Sequence, residues 1–468
     1  MEFEIRDSLD GIQADAIVVA LPEDAERSDP RFSATANPLF TSGDLPLKPF
    51  ETLLLPGTPR IVFVGIPKAA DLEAWRRMAA TVVRRMKKVK RLAFSCGDVR
   101  ALVEGVLVGS FSVEAYKTSN SRPGVEKIIF AGTDRKPVDE GVIVGESINW
   151  ARGLINEPSN RKPPRVIAER AREMAAGAGL AVDILDERAL RDLKMGALLG
   201  VGQGSEEPPR LVVLRHAGNP GSPKLLAYVG KGITFDSGGI SIKAAEGMEK
   251  MKYDMAGGAT AMAALRTLAL FRAPVNCMAV VPLAENMPSG RAQRPGDVVE
   301  SMSGKTIEVI NTDAEGRLIL ADALAYARSL RATHLVDIAT LTGAARIALG
   351  PFRAGVMGND QSFIDSFLAA AKRVGEKMWQ MPMDDEYRDL IKSTVADVAN
   401  SGGRFAGMIT AAKFLQEFVG GTPWVHVDIA STAWNDEDKP YLPKGPSGVA
   451  LRSLVEFALG FGRGLATD

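Results

Sequence analysis

Lys231 and Asp236 lie in a glycine-rich segment, VGKGITFDSGG, that directly follows an apolar run at residues 225–229, and Lys243 comes shortly after it. Polar groups at the carboxyl end of a buried strand lie where open α/β sheets bind their ligands. Glycine lets the backbone approach a bound group closely. A phosphate-binding loop is the rival interpretation, but the GxxxxGKS/T order is absent and the Asp236 carboxylate would repel phosphate without a metal between them.

Asp254 is a second candidate, in the segment MEKMKYDMAGGAT. A run of small and apolar residues follows it and predicts a helix through Leu270. An aspartate in front of a helix can cap it by accepting a bond from a backbone N–H. It can also offer a carboxylate to a cation, and this segment alone leaves both interpretations open.

The segment NTDAEGRL supplies two more carboxylates, Asp313 and Glu315, and then Arg317. In an extended stretch, residues two apart point to the same side, so the two carboxylates are expected to converge on one point. The alternative is a solvated turn before a helix that starts near Arg317. The apolar character of the neighbouring residues disfavours that alternative.

Together the three segments predict a centre that binds two metal ions. Its four candidate ligands are Asp236, Asp254, Asp313 and Glu315. Carboxylates so close together repel one another unless cations lie between them. Four exceed what one divalent ion needs, and a pair of ions roughly 3.5–4 Å apart fits the number better. Oxygen ligands suit Mg²⁺, Mn²⁺ or Zn²⁺, and the nearby lysines and arginine are left to act on a substrate.

The composition narrows the class of protein and of metal site. The chain has 468 residues, with 57 Lys and Arg against 57 Asp and Glu, which argues against a protein that mainly coats nucleic acid or an anionic membrane. Three His and two Cys disfavour a disulfide scaffold and a zinc site built from cysteines or several histidines. No run approaches the ~18 apolar residues of a membrane span and no signal peptide is evident, so a cytoplasmic location is expected.

The elements that must position these residues predict an α/β protein of two domains. Residues 1–135 alternate β-branched runs with helical patterns and are expected to form the first domain. A helix and a proline-rich linker are expected over residues 136–160, and residues 161–468 form the second domain. Apolar runs that predict buried strands of a mixed, largely parallel sheet, covered by helices on both faces, occur at residues 210–215, 225–229, 278–282, 334–339 and 425–430.

These segments resemble the leucine aminopeptidase family, the cytosolic exopeptidases with two metal ions. NTDAEGRL is similar to the signature octapeptide of that family, and VGKGITFDSGG with Lys243, then MKYDM, match its two other site segments in order and spacing. The resemblance continues through ATLTGA, GRFAG and WVHVDIA in the second domain. It is weaker before residue 150, where the family has a variable domain similar to a macro domain. The implied fold is therefore a macro-like α/β domain followed by an α/β/α catalytic domain.

The resemblance also implies how the residues divide between the two metals. One metal is held by Asp236, Asp313 and Glu315, with the carbonyl oxygen of Asp313. The second is held by Lys231, Asp236, Asp254 and Glu315, so that Asp236 and Glu315 bridge the pair. A lysine that binds a metal must be neutral, which makes Lys231 the least intuitive ligand.

The implied activity is hydrolysis of the N-terminal residue from peptides with a free N-terminus. Lys243 is expected to stabilise the oxyanion of the transition state. A bicarbonate ion bound at Arg317 is expected to carry the proton, because no histidine lies near the site segments. The family also implies a homo-oligomer, most often a hexamer.

The expected pocket for the first side chain of the substrate has an apolar wall suited to leucine or methionine. Its residues, by resemblance, are Met251, Asn311, Thr342 and Gly343. Such pockets discriminate by only ~1–3 kcal/mol per methylene, so a broad preference is expected. The chain departs from the common family pattern at Ser431 and at Pro446, both near the rim of the pocket, which leaves the preference for leucine itself open.

Two other functions are weighed against the peptidase. Residues 75–91 predict an amphipathic helix with eight Arg or Lys on its polar face, which could bind DNA as an architectural protein. The alternative for this helix is a solvated face balanced by acids elsewhere, and the zero net charge favours that alternative. A macro-like ligand-binding module at residues 1–135 is the third hypothesis, although no phosphate-cradling glycine pattern supports it.

Overall fold

The computed structural model describes residues 1–23, 30–45, 48–95, 97–118 and 124–464, and they form two compact units. The first unit comprises residues 1–149 and 436–445, and the second comprises residues 150–435 and 446–468. The division falls inside one long helix. The return of residues 436–445 to the first unit was not expected from the sequence.

The first unit contains a six-stranded sheet and three helices of its own. Its elements are β1 (Glu2–Arg6), β2 (Ala16–Pro22), α1 (Ser33–Ser42), β3 (Thr52–Leu55), β4 (Arg60–Ile66), α2 (Leu72–Arg85), β5 (Arg91–Phe94), α3 (Val99–Gly109) and β6 (Lys127–Ala131). The strand order is β1-β6-β5-β2-β4-β3, and every pair is parallel except β3 with β4. Helix α4 (Arg135–Asn156) follows and contains the division between the units.

The second unit is built on a nine-stranded mixed sheet. The strands that follow α4 along the chain, in this sheet and in smaller ones, are β7 (Ala181–Leu185), β8 (Arg210–Ala217), β9 (Leu226–Gly230), β10 (Gly232–Asp236), β11 (Asn276–Asn286), β12 (Val298–Glu300), β13 (Thr306–Glu308), β14 (His334–Ala339), β15 (Ala354–Gly358), β16 (Met378–Gln380), β17 (Val398–Ala399), β18 (Trp424–Asp428), β19 (Trp434–Asn435) and β20 (Gly445–Pro446). The large sheet has the order β16-β15-β18-β14-β9-β11-β8-β7, with β10 beside β11. Strands β12, β13 and β17 form a separate small sheet.

The helices of the second unit lie on both faces of the large sheet. They are α5 (Pro164–Ala178), α6 (Glu187–Asp192), α7 (Gly196–Gly202), α8 (Ala256–Leu270), α9 (Glu315–Ser329), α10 (Gly343–Leu349), α11 (Gln361–Arg373), α12 (Gly407–Gln416) and α13 (Leu451–Gly462). Ala227 and Val229 lie in one buried cluster with the apolar side chains of α9. Tyr228 points to the other face, because alternate residues of a strand do so, and its hydroxyl donates to the carbonyl oxygen of Leu454 on α13 at 2.5 Å.

The expected fold class is confirmed, and the five predicted strands of the second unit are present as β8, β9, β11, β14 and β18. The helix expected over residues 75–91 is shorter: α2 ends at Arg85, because Arg91 already begins β5 between β2 and β6. Within the described ranges, no helix combines the length and apolar character needed to cross a bilayer.

Candidate functional site

The polar residues of the site lie at the carboxyl ends of parallel strands. Strands β9, β14 and β18 are parallel neighbours, and β10 and β11 run parallel beside them. Their ends therefore reach the same edge of the sheet, where α/β proteins bind ligands. Lys231 directly follows β9, Asp236 ends β10, and Glu315 is the first residue of α9.

Asp236, Asp313 and Glu315 form the carboxylate cluster of the site. One oxygen atom from each lies within 4.8 Å of the others. Asp236 and Glu315 are buried, and Asp313 is partly exposed. The predicted convergence of Asp313 and Glu315 occurs, but the reason is different. The two residues belong to a turn and to the start of α9, not to an extended stretch, and α9 begins at Glu315 instead of near Arg317.

Lys231 connects Asp254 to the cluster. Its Nζ lies 2.7 Å from Asp254 Oδ2 and 2.8 Å from Glu315 Oε1, and it donates to the carbonyl oxygen of Thr340 at 2.9 Å. The Thr340 hydroxyl donates to Asp254 Oδ1 at 2.7 Å. Asp254 does not cap α8, which begins at Ala256 without a capping side chain. Asp254 therefore contacts residues of the site and does not cap α8.

Lys243 binds the other side of the cluster. Its Nζ lies 2.7 Å from Asp236 Oδ2 and also contacts Asp313 Oδ1. The second oxygen of Asp236 accepts bonds from the backbone N–H of Gly238 and from Asn286 Nδ2, both at 2.9 Å. Asp236 is thus held in one orientation by three donors, two from the segment that follows it and one from the end of β11.

Burial and mutual repulsion raise the pKa values of the carboxylates in the site. Burial raises the pKa of Asp236, and the nearby charge of Glu315 raises it further. Burial also raises the pKa of Asp254 well above its usual value, against the attraction of Lys231. The pKa of Asp313 is raised by burial and by the charge of Asp236. The cluster therefore holds more negative charge than its surroundings favour, which is the property of a cation site.

The two lysines respond in the opposite direction. Burial alone would lower the pKa of Lys231, but the attraction of Asp254, Glu315 and Asp236 outweighs it and raises the pKa well above its usual value. The same balance of burial against carboxylates raises the pKa of Lys243. Both side chains are therefore ammonium ions, and Lys231 would become a neutral ligand only with a divalent cation beside it.

The donor set fits divalent cations. Glu315 Oε2 is buried and has no hydrogen-bond partner within the described part of the chain, although a buried carboxylate oxygen normally has one. A cation close to this oxygen and to the nearby oxygens of Asp236 and Asp313 would remove that cost. Oxygen ligands of this kind suit Mn²⁺, Mg²⁺ and Zn²⁺.

Arg317 lies in the first turn of α9 and is almost fully buried. Its Nη1 donates to the carbonyl oxygen of Asn400 at 2.9 Å, and its buried Nε has no hydrogen-bond partner among the described residues. Burial lowers the pKa of Arg317 to about 10, while Glu315 and Asp428 oppose the shift, so the guanidinium remains charged at neutral pH. A charged donor without a partner is suited to an anion.

The expected pocket residues occupy three separate segments. Met251 lies in a short 3₁₀ helix, Met248–Tyr253, just before Asp254. Thr342 caps α10, and its hydroxyl donates to Asp428 Oδ2 at 2.7 Å. Gly343 is exposed, and a Cβ added there would meet nothing within 4 Å. The Asn311 side chain accepts a bond from the Asp313 N–H at 2.9 Å.

Sequence reasoning missed several residues that hold the site together. Asn286 ends β11 and donates to both Asp236 Oδ1 and the carbonyl oxygen of Thr312. Thr340 directly follows β14, and Asp428 ends β18. Each is a polar residue at the carboxyl end of an observed strand. Of the three, only Thr340 directly follows a run that was predicted to be a strand, at residues 334–339, and that position could have identified it.

Glycines allow α8 to pack directly on the strands beneath the site. A Cβ at Gly230 would lie 2.6 Å from the Cα of Gly258, and one at Gly257 would lie 2.0 Å from the carbonyl oxygen of Ile338. Atoms this close cannot coexist, so only glycine fits. Gly316 likewise leaves space for the side chain of Lys231. A Cβ added at Gly316 would lie 2.6–2.8 Å from three side-chain atoms of that lysine.

Three of the four basic residues of α2 have acidic partners. Arg76 is buried, and its Nε lies 2.6 Å from Glu104 Oε2. Arg77 Nε lies 2.8 Å from Glu73, and Arg84 lies 3.5 Å from Asp438. This pairing favours a balanced helix over a surface for nucleic acid.

Comparisons with known proteins agree with this geometry. Residues 149–455 match the model of the cytosol aminopeptidase family, catalytic domain, and residues 9–120 match the N-terminal domain of that family. The probable cytosol aminopeptidase of Solibacter usitatus is 49% identical over 475 residues, covering 97% of this chain and 98% of that protein. The probable cytosol aminopeptidase of Acidobacterium capsulatum is 44% identical, with 98% and 94% covered.

A solved structure shows the same fold. The bottromycin maturation enzyme BotP is 34% identical, with 96% of this chain and 100% of that chain covered and a TM-score of 0.87. The same enzyme in complex with Mn gives a TM-score of 0.88. Both matched domains cover the chain in the order expected, and all three site segments fall inside the catalytic match. The chain therefore belongs to the cytosol aminopeptidase family.

Proposed function

We propose that the chain is a metal-dependent aminopeptidase that hydrolyses the N-terminal residue from peptides by means of two divalent cations. The observation that carries this proposal is the convergence of Asp236, Asp313 and Glu315 within 4.8 Å at the carboxyl edge of the sheet. Family membership supports the activity, since the related chains of Solibacter usitatus and Acidobacterium capsulatum are named as probable cytosol aminopeptidases.

One cation would be held by Asp236, Asp313 and Glu315, and the other by Asp236, Glu315, Asp254 and Lys231. Two such ions supply a polarised peptide carbonyl and a water molecule whose pKa is lowered towards neutrality. The Mn bound by BotP supports Mn²⁺ as one candidate, and Zn²⁺ and Mg²⁺ remain the others. The close contacts of Lys231 with Asp254 and Glu315 support its place beside the second ion.

Lys243 and Arg317 are the residues that would act on the substrate. Lys243 carries a positive charge at the edge of the cluster, where it can stabilise the oxyanion that develops during attack on the carbonyl. Arg317 offers a charged, buried Nε without a partner, which supports bicarbonate as an anion held there. Arg317 would hold that ion beside the cluster, and the chemistry supplied there would be general acid–base catalysis.

The exopeptidase preference follows from the chemistry of the substrate. In its ammonium form a free α-amino group is attracted by the carboxylate cluster, and in its neutral form it can donate its lone pair to a metal. An acylated nitrogen can do neither, so the free N-terminus is favoured. We propose that the first side chain contacts Met251, Thr342 and Gly343, with Asn311 at the floor of the pocket. The open space at Gly343 supports the placement of a substrate side chain beside it.

Ser431 and Pro446, the departures from the family pattern, are both buried. The Ser431 hydroxyl donates to the carbonyl oxygen of Arg353 at 2.6 Å, and the Pro446 carbonyl oxygen accepts a bond from Arg152 Nε at 2.9 Å. Their polar contacts therefore reach other parts of the second unit. This supports an ordinary apolar preference with broad tolerance.

A homohexamer in the cytoplasm is the proposed state of the protein. The large apolar side chains of Ile347, Phe352 and Phe405 are 90%, 68% and 76% exposed, which supports burial against other copies. Light scattering should then give a mass of about six times the 50.0 kDa of one chain. A monomeric particle would contradict this assembly.

The activity is tested with leucine p-nitroanilide, before and after removal of metal by a chelator and after addition of Mn²⁺ or Zn²⁺. Hydrolysis should disappear on chelation and return with either metal. N-acetylated substrate should not be cleaved, and bicarbonate added to depleted buffer should raise kcat for the wild type but not for Arg317→Met. Activity that survives complete metal removal would refute the mechanism, and cleavage of the acetylated substrate would refute the exopeptidase.

Gly316→Ala should lower kcat/KM on the order of 100-fold, because displacement of a site group by ~1 Å has an effect of that size. The added methyl group would occupy the space of the Lys231 side chain and move its ammonium from Asp254 and Glu315. Gly177→Ala is the matched control: it lies in α5, a Cβ there meets nothing within 4 Å, and alanine favours the helix. Equal activity of the two variants, measured at steady state, would show that the space at Gly316 is not needed.

A further inference from the structure

Asn400 is a fully buried residue that directly follows β17. Strand β17 pairs in parallel with β13 at two positions, and the Asn400 N–H extends this pairing by donating to the carbonyl oxygen of Glu308 at 2.9 Å. Beyond that point the two segments are no longer joined by hydrogen bonds between their backbones. The segment that leads into the signature octapeptide must therefore find other partners for its backbone.

The side chain of Asn400 provides those partners. Its Oδ1 accepts bonds from the backbone N–H groups of Ile310 at 2.8 Å and Asn311 at 3.2 Å. Its Nδ2 donates to the carbonyl oxygen of Asn311 at 2.7 Å. One amide thus satisfies three backbone groups and acts as a one-residue extension of the sheet.

These contacts reach two groups of the site. Asn311, which Asn400 holds on both backbone groups, accepts the N–H of Asp313 through its own side chain at 2.9 Å. The main-chain carbonyl oxygen of Asn400 accepts Nη1 of Arg317 at 2.9 Å. Asn400 is therefore the shared anchor of a metal-ligand loop and of the buried guanidinium, which lie on opposite sides of Glu315 in the sequence.

We propose that Asn400 is a positioning residue of the reaction, which fixes Asp313 through the backbone of Asn311 and orients Arg317 through its own carbonyl oxygen. This inference rests on the proposed function, because its effect on turnover depends on a metal at Asp313. Outer partners of metal ligands in other proteins contribute ~10–100-fold to metal affinity. A contribution of that size is expected here, made through the backbone and not through contact with the metal.

The test compares Asn400→Ala with Asn276→Ala in the full chain. Asn276 makes the same kind of clamp: Oδ1 accepts the Asn219 N–H at 3.0 Å, and Nδ2 donates to the Asn219 carbonyl oxygen at 2.6 Å. It starts β11, roughly 33 Å along the strand from Asn286 at ~3.3 Å per residue. Four quantities are measured for each variant: the melting temperature, the affinity for Mn²⁺ by titration calorimetry, and both kcat and KM for leucine p-nitroanilide.

Both variants should lower the melting temperature, but only Asn400→Ala should weaken Mn²⁺ binding at one of the two sites, by ~10-fold or more. Its kcat should fall by at least ~10-fold with little change in KM, as for a group that acts in the transition state. If Asn400→Ala does not fold, Asn400→Asp replaces it. This variant keeps the accepting oxygen, loses the donations from Nδ2 to the carbonyl oxygens of Asn311 and Ala314, and adds a negative charge.

The positioning role would be overturned if Asn400→Ala kept the Mn²⁺ affinity and kcat of the wild type. It would also be overturned if Asn400→Ala and Asn276→Ala lost Mn²⁺ affinity and kcat equally. Failure of the proposed function looks different. In that case the wild type itself would bind no Mn²⁺ or would hydrolyse no substrate with Mn²⁺ present.

Discussion

Asp236→Asn should lower kcat for leucine p-nitroanilide by at least ~10³-fold, which corresponds to about 4 kcal/mol at ~1.4 kcal/mol per tenfold change. Asp236 is the carboxylate proposed to bridge the two cations. The amide keeps the size of the side chain, but it removes one negative charge and turns a donor towards the Lys243 ammonium, now 2.7 Å from Oδ2. Steady-state kinetics and the Mn²⁺ content of the purified variant measure the effect.

Asp322→Asn is the matched control for that variant. Asp322 is also a fully buried carboxylate, and burial raises its pKa to about 7. It lies in α9 two turns beyond Glu315, where it accepts the N–H groups of Leu198 and Met302, each at 2.8 Å. Its loss should reduce stability by ~1–3 kcal/mol while kcat stays near the wild-type value. Equal activity in Asp236→Asn and Asp322→Asn would exclude a bridging role for Asp236.

Lys243→Met should lower kcat by ~10²–10³-fold, the range found when one donor to an oxyanion is removed. Methionine preserves most of the volume of the chain but not its charge. The ammonium is held at the cluster by Asp236 and Asp313, and these carboxylates with Glu315 outweigh burial and keep its pKa raised. Because the charge is needed in the transition state, KM should change little.

Lys413→Met provides the comparison for the lysine. Lys413 is buried in α12, and its Nζ lies 3.0 Å from Asp385 Oδ1. Neither residue belongs to the site, so this variant should retain kcat. A rise in KM with unchanged kcat in Lys243→Met would show that the lysine binds the ground state of the substrate and does not stabilise the oxyanion.

The sequence was sufficient to predict the strands that deliver the site, because buried parallel strands are continuous apolar runs. It did not predict that a separate strand, β10, begins at Gly232 almost directly after β9 ends at Gly230. Strand β9 pairs with both β14 and β11, whereas β10 pairs with β11. Lys231 lies at the break between them, and that geometry depends on pairings with residues more than 50 positions away.

The same limit explains the residues that were missed. The contacts of Asn286 with Asp236, of Thr340 with Asp254 and of Asn400 with Asn311 join residues 50–90 positions apart. The periodicity of apolar residues indicates only local structure. It does not show which residues of distant strands lie opposite each other. The role of Asp254 was left open for this reason: the segment that would decide it, at Thr340, lies 86 residues later.

The glycine contacts between α8 and the strands have a consequence for protein engineering. Gly230 and Gly257 have no room for even a methyl group, so randomised libraries that include them will consist largely of misfolded chains. Gly343 has free space on its side-chain position, so substitutions there would leave the framework intact while they reshape the proposed pocket. New substrate preferences are therefore accessible by mutation on one side of the active centre, whereas the side built by α8 is fixed by its backbone.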